Sequence, residues 1–549
     1  MPWALSAWII ADADPSPRQL FSALSAVKNF AVEMQRPKQR TQGKTLRRDV
    51  AYCSCAAVYG SIPRMNRRTF LSISSAAACA ATFPFPNLFA EDNPPAQLRL
   101  TLRPDRLGNK IGPDFTGLSY ESAQLGNPNF FAGDNTALIG FIKRLGASGV
   151  LRIGGNTSEW CYWKPDETPA TNMGAVNPDR GLKAAPSVNI TKLAVRNLRD
   201  FLDATGWNLV YGLNMGTGTA EDAAAEAAYV MDVCGAKLIA FQLCNEPDLF
   251  YRNGIRKKDY DAAQFGDEWK HFYDVIRARV PSAPFAGPDT AYNNSWLVPF
   301  AKRFKIEAKF LSQHYYAEGP PSDPSMTIER LLKPNPKLEE EFAGMKKTVE
   351  ETGLPFRLAE TNSCYSAGKE GVSNTFASAL WGGDLMYQLA AAGGMGINFH
   401  GGGYGWYTPI AGTRDNGFVA RPIYYGMLMF AEAGAGQLID TQVEGIDQAP
   451  LLTAYGLRST DGKIKVAIFN KNLDRALRFT FAGVAVQRTS VLHLHAPRVD
   501  DTTDVTLGGA PVGANGAWEP EMVHGFDIAG GRAEGVLPPA SGALVTFEG

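Results

Sequence analysis

Seven cysteines in 549 residues are too few for a disulfide scaffold, and none stands at metal-ligand spacing. Cys53, Cys55 and Cys79 precede the folded part of the chain. Cys161, Cys234, Cys244 and Cys364 read as free buried thiols. The six histidines are scattered without an H-E-x-x-H pair, and the HLH of residues 493–495 reads as part of a strand, so neither metal nor cofactor is expected. An excess of acidic or basic residues is also missing. A formal net charge of −1 gives no global field to attract nucleic acid or an anionic membrane, so an anionic substrate must be recognised by a local pocket. No apolar run is long enough to span a bilayer stably. GGGYG at 401–405 follows a strand-like run and opens no helix, so it is not a phosphate loop. What remains, 45% hydrophobic and 20% charged, is the make-up of a folded soluble protein.

Residues 65–90, MNRRTFLSISSAAACAATFPFPNLFA, resemble a twin-arginine export signal: Arg67 and Arg68, then a small apolar stretch, then a cleavage position near Ala90. This predicts an exported protein, periplasmic or extracellular, without stable membrane insertion. Residues 1–64 carry no periodicity and read as a non-native or disordered extension, with Met65 as the true start.

From residue 113, short β-prone runs alternate with amphipathic stretches. The runs are FTGLSYE (115–121), GVLRIGG (149–155), NLVYGLNM (208–215), LIAFQLCNE (238–246), FAGPD (285–289), AKFLSQHYY (308–316), PFRLAE (355–360) and GINFHGG (396–402). Helical patterns fall at 134–145, capped by Asp134, and at 187–205, 220–234, 259–279, 293–304, 338–352 and 373–392. Eight strand-like runs with helical patterns between most of them predict a (β/α)8 TIM barrel over 113–430, in preference to an open doubly wound sheet. Beyond 430, LLTAYGLRS, KIKVAIFN, ALRFTFAG, TSVLHLH and GALVTFE predict an antiparallel β-sandwich over 431–549. LRLTLRP, inside the 91–112 segment, is a further strand that can join the sandwich and so bring the two ends of the chain together.

Barrel chemistry sits at the C-terminal ends of the strands. The fourth run ends in CNEPD and the seventh in RLAET, which places Glu246 and Glu360 on one rim. Glycoside hydrolysis needs two carboxyl groups flanking the bond, one protonated and one ionised. Asn245 can present its amide to a sugar 2-hydroxyl, and Tyr316 can donate to Glu360. Arg152, Asn156, Glu159, Tyr120 and Glu121 are expected on the pocket floor, Arg152 equally as a structural partner of a carboxylate. Trp160, Trp163 and Trp406 are candidates for stacking on sugars.

FTGLSYES, LRIGGNTSEW, FQLCNEPD, QHYY and LAETNSCY, in this order, resemble glycoside hydrolase family 79, which holds bacterial β-glucuronidases and the animal heparanases. The resemblance covers residues 98–549. It implies a retaining double displacement on a β-glucuronide, with Glu246 as acid/base and Glu360 as nucleophile. It also implies a uronate site formed by Tyr365 and Tyr407. Where family members often carry glycines after that first tyrosine, this chain has Ser366 and Ala367, for which positive φ is costly. The alternatives are an endo-acting, heparanase-like enzyme using Arg252, Arg256, Lys257 and Lys258 as a basic wall, a non-catalytic sugar-binding barrel, and an arabinofuranosidase.

Overall fold

The computed structural model describes residues 94–167, 187–291 and 293–549. The export-signal reading, the 1–64 extension and Cys53, Cys55 and Cys79 lie outside them.

Eight parallel strands close into a barrel: Thr116–Glu121, Val150–Gly154, Asn208–Gly212, Leu238–Gln242, Phe285–Thr290, Ala308–Glu318, Phe356–Cys364 and Gly396–Gly401, here counted one to eight. Each lies within or beside a predicted run. Nearly every strand residue is buried, as expected where helices cover the outside and side chains fill the inside. Val150, Val210, Ala240, Ala286 and Phe310 form an apolar layer across strands two to six. Side chains alternate faces along a strand. Two residues beyond that layer, the same faces therefore carry Arg152, Gln242 and Ser312, and strand six continues with His314 and Tyr316. The polar site is thus stacked on the apolar layer, toward the C-terminal ends.

The helices agree with prediction in type and differ at their ends. The helix predicted from 187 begins at Lys192, because Val188–Ile190 pairs with Cys161–Trp163 as a short strand. Asn135, not Asp134, precedes the helix Thr136–Arg144, because the Asp134 carboxylate is held by Arg414 at 2.8 and 2.9 Å. The helix Pro422–Ala433 was not predicted. It is buried almost all round, so it has no polar face to mark it. It crosses the helix Phe376–Ala391 so closely that a Cβ on Gly426 would lie 2.1 Å from the Ala379 carbonyl oxygen.

The second region is a ten-stranded sheet. Ala96–Ile111 lies inside it, antiparallel to Gly436–Glu444 and parallel to Leu477–Ala482, so the sheet contains a parallel pair. Phe481 and Phe547 stand on strands five places apart in the sheet order, yet their rings are 5.2 Å apart. The sheet therefore folds over itself into a sandwich. At its junction with the barrel, Lys471 pairs with buried Asp384, which also accepts from the Tyr455 hydroxyl at 2.7 Å. Cys161, Cys234, Cys244 and Cys364 are all free and buried. Among the described residues no helix is long and apolar enough to cross a membrane.

Candidate active site

Two strand irregularities aim the acidic residues. In strand seven, Leu358 pairs with Gln313 and Glu360 with His314, so Ala359 is an extra residue relative to strand six. Such a bulge shifts the alternation by one and turns the next side chain. In strand five, Pro288 pairs with Ser312 and Thr290 with Gln313, which leaves Asp289 as the inserted residue, with φ of 62°. Glu246, just beyond strand four, also has positive φ, 49°, and heads a short 3-10 turn begun by Pro247. Non-glycine residues in this region are strained and persist where the surroundings hold them.

These features bring Glu246, His314 and Glu360 together. A carboxylate oxygen of each glutamate and a ring nitrogen of His314 lie within 4.8 Å of one another. Glu360 is 5% exposed and Glu246 8%. Glu360 Oε2 accepts from Arg152 Nη1 at 2.5 Å, and its Oε1 accepts from the Tyr316 hydroxyl at 2.7 Å. His400 Nδ1 stands 3.5 Å from Oε2. Burial alone would raise the Glu360 pKa. The charges of His400, His314 and Arg152 and the Tyr316 hydrogen bond outweigh it and hold the carboxyl well below the ordinary carboxylate range.

Arg152 is 1% exposed and uses all five of its donors. Nε goes to Gln242 at 2.8 Å, Nη1 to Ser119 at 3.0 Å and to Glu360, and Nη2 to Asn245 at 2.7 Å and Asp289 at 2.6 Å. Of its two expected placements, the carboxylate-paired one is found. His314 Nδ1 lies 3.0 Å from Glu246 Oε1, and Nε2 lies 3.2 Å from Asp289 Oδ1. Desolvation would lower the His314 pKa, but the surrounding carboxylates raise it to about 10.

The other expected residues divide. The Asn245 carbonyl is fixed by Arg152, its Nδ2 donates to Asn156 at 3.2 Å, and its backbone N–H donates to Glu159 at 2.7 Å. Glu159, its pKa pushed by burial to about 7, also accepts from the Gly216 N–H at 2.6 Å; it braces the loop under Asn245. Glu121 accepts from Thr157 and lies 3.4 Å from His400 Nε2. Tyr120 is not on the floor: it packs against Phe130 and Phe131 in the core. Trp163 packs on Tyr229, whereas Trp406 is 37% exposed beneath the Arg421 guanidinium.

Tyr365 and Tyr407 are brought to Tyr316, with ring centroids 6.5 and 6.1 Å away. Asn362 donates to the His400 and Tyr407 carbonyls and so fixes the loop after strand eight. Ser366 and Ala367 both adopt the left-handed region, with φ of 59° and 62°. The following Gly368 is required, since a Cβ there would lie 2.7 Å from the Tyr407 nitrogen. Ser366 is exposed. Ser366→Gly is therefore expected to stabilise the protein by about 0.5–1 kcal/mol, relief of αL strain less the added chain entropy. An unshifted or lowered denaturation midpoint would contradict this.

Sequence reasoning did not single out His314, His400, Asp289, Gln242 or Asn362. The QHYY run was the signal for His314. The others gain meaning only when the barrel closes. The Glu246–His314–Glu360 spacing would also suit a metal ion. Arg152 already supplies a cation to Glu360, and a His314 that keeps its proton to about pH 10 is no ligand in the neutral range. Chemically, two carboxyl groups this close, one held ionised, can attack and protonate a single acetal.

A family model for glycosyl hydrolase family 79, N-terminal domain, matches residues 134–387. A β-glucuronidase from Aspergillus niger is 27% identical over 393 residues, covering 65% of this chain and 69% of that protein. Heparanase from Mus musculus is 22% identical over 432 residues, covering 67% of this chain and 77% of that one. Among solved structures, a 4-O-α-L-rhamnosyl-β-D-glucuronidase from Fusarium oxysporum superposes with TM-score 0.65 at 18% identity, over 81% of this chain and all of that one. A family 51 arabinofuranosidase from Xanthomonas axonopodis superposes with TM-score 0.63 at 16% identity, over 82% of this chain and all of that one, a likeness of fold. Residues 134–387, which carry most of the barrel, are thus similar to the N-terminal domain of glycoside hydrolase family 79.

Proposed function

We propose that the protein is a retaining β-glucuronidase that releases terminal glucuronic acid from β-glucuronides. The observation that carries this reading is the approach of Glu246 and Glu360 to within 4.8 Å. Retaining enzymes hold their carboxyl groups about 5–5.5 Å apart and inverting ones about 6.5–9.5 Å. Glu360, ionised, attacks the anomeric carbon while Glu246 gives its proton to the leaving oxygen. Glu246 then takes a proton from the water that opens the glycosyl ester. The Tyr316 hydroxyl and Arg152 keep Glu360 ionised, and Asn245, anchored by Arg152, faces the sugar 2-hydroxyl.

The uronate carboxylate is read by the Tyr365 and Tyr407 hydroxyls, with the N–H groups of the Ser366–Ala367 turn beside them. The glucuronidases among the relatives support that substrate. Two hydrogen bonds to a charged group, about 1.5–3 kcal/mol each, amount to roughly 10²–10⁴-fold in rate over a neutral glucoside. The test is a panel of aryl glycosides with protein expressed from residue 91. The expected result is glucuronide hydrolysis at that margin, with the β-anomer formed first by NMR. Equal rates on glucoside, or an α-anomer first, would overturn the reading.

The endo-acting alternative is weaker, because one member of its basic wall is committed elsewhere. Arg256 is bound to Glu268 and to the Met215 and Gly216 carbonyls. Heparan chains should remain uncut while p-nitrophenyl glucuronide is consumed. Export rests on Arg67, Arg68 and the apolar stretch after them; N-terminal sequencing of exported protein should begin near residue 91.

A further inference from the structure

One line of contacts crosses the barrel from carboxylate to carboxylate. It runs from Glu360 to Arg152 at 2.5 Å, from Arg152 to Asp289 at 2.6 Å, from Asp289 to His314 at 3.2 Å and from His314 to Glu246 at 3.0 Å. Asp289 stands at its centre. It is 1% exposed, sits at the inserted residue of strand five in a left-handed conformation, and also accepts from Gln242. Aspartate is one of the non-glycine residues that adopts φ near 60° most readily, so the inserted position suits it. The carboxylate is what that position delivers.

We propose that Asp289 is a positioning residue that couples the two catalytic carboxyls, the stationary anion that keeps Arg152 and His314 both charged while negative charge passes from Glu360 to Glu246. This rests on the retaining reading above. Before reaction the cations are Arg152 and His314, the anions are Glu360 and Asp289, and Glu246 carries a proton. A Glu360 oxygen then forms its bond to the anomeric carbon as the bond to the leaving oxygen breaks, and that oxygen takes the Glu246 proton. Arg152 and His314 now face Asp289 and Glu246. These five groups sum to zero on both sides of the step, so the buried network itself gains no uncompensated charge.

The neighbouring groups do not duplicate this role. Asp248, beyond strand four, accepts from the Ala291 N–H and is pushed by burial to about 6. Burial raises Glu341, on the helix Pro336–Thr352, and Cys244 well above their ordinary values, which leaves both neutral. His400, on strand eight, is paired with Glu121. His314 donates through Nδ1 to Glu246 Oε1, so the transferable proton of Glu246 rests on its other oxygen.

Removing the Asp289 charge makes the Glu246–His314 pair give up a proton more readily, whichever residue releases it. Asp289→Asn is therefore expected to move the alkaline limb of kcat/KM on p-nitrophenyl glucuronide to lower pH by about 1–3 units. Asp289→Glu, where folded, should recover part of that shift. His314→Gln removes the cation instead and should move the limb to higher pH. A merely structural role would lower activity without opposite limb shifts. Ring NMR supplies a readout that needs no substrate: His314 should stay protonated through pH 8 in the wild type and titrate near neutrality in Asp289→Asn. If the wild type fails on glucuronides, the function falls while this titration still tests the coupling. Unmoved limbs in folded variants, shifts of one sign, or an unchanged His314 titration would overturn the inference. Should Asp289→Asn not fold, an unmoved or lowered limb in His314→Gln does so alone.

Discussion

Glu360→Ala is expected to lower kcat on every aryl glucuronide by roughly 10⁴–10⁶-fold, the scale on which removal of an enzymatic nucleophile acts. No neighbour can replace it. Glu246 is held by His314, and Asp289 is held by Arg152 and Gln242 behind the reaction centre. The loss should not depend on the leaving group, because bond formation to the anomeric carbon is required for all of them. Glu246→Ala behaves differently. A dinitrophenyl leaving group departs without a proton, so this variant should retain the first step on that substrate and lose it on an alkyl glucuronide. Steady-state and burst kinetics on the two substrates separate the roles. An equal loss on both would remove Glu246 from the acid position, and substantial turnover by Glu360→Ala would remove Glu360 from the nucleophile position.

The second large effect belongs to Arg152, whose five donors meet five acceptors from five different residues. Arg152→Met leaves Glu360 and Asp289 buried without the guanidinium that pairs both of them. Breaking a buried pair in this way costs about 3–5 kcal/mol, read as a lower denaturant midpoint. The carboxylates relieve their repulsion by binding protons. The Glu360 pKa therefore rises, and the acid limb of kcat/KM moves to higher pH. Arg152→Lys should recover little, since an ammonium offers three donors and no planar fork. A midpoint and acid limb both unchanged in Arg152→Met would show that the network contributes neither stability nor ionisation.

The barrel was legible because each strand is a short run of apolar or β-branched residues bounded by a helical pattern, and that alternation allows few topologies. The Glu246 and Glu360 positions were legible for the same reason: a strand end is a place in the barrel. What escaped was set by register. The extra residues Ala359 and Asp289 leave no mark in composition, yet they decide which side chains turn inward. Arg152 could be placed on strand two but not joined to strands four, five and seven, since its acceptors meet only on closure. His400 lies on a predicted strand and gains its meaning from Ser119 and Glu121 on strand one. The helix Pro422–Ala433 escaped because its burial removed the polar face that periodicity detects.

The first strand of the folded region has a consequence for how the molecule is made. Its Arg103 meets Asp440 across a separation of 337 residues. A ribosome adding about 5–20 residues per second takes tens of seconds to supply that partner. Meanwhile Ala96–Ile111 leaves the tunnel with unpaired edges, and the barrel can condense ahead of the sheet that will hold both chain ends. The nascent chain should therefore expose a sticky ribbon until its last hundred residues emerge, the interval in which a chaperone has something to hold.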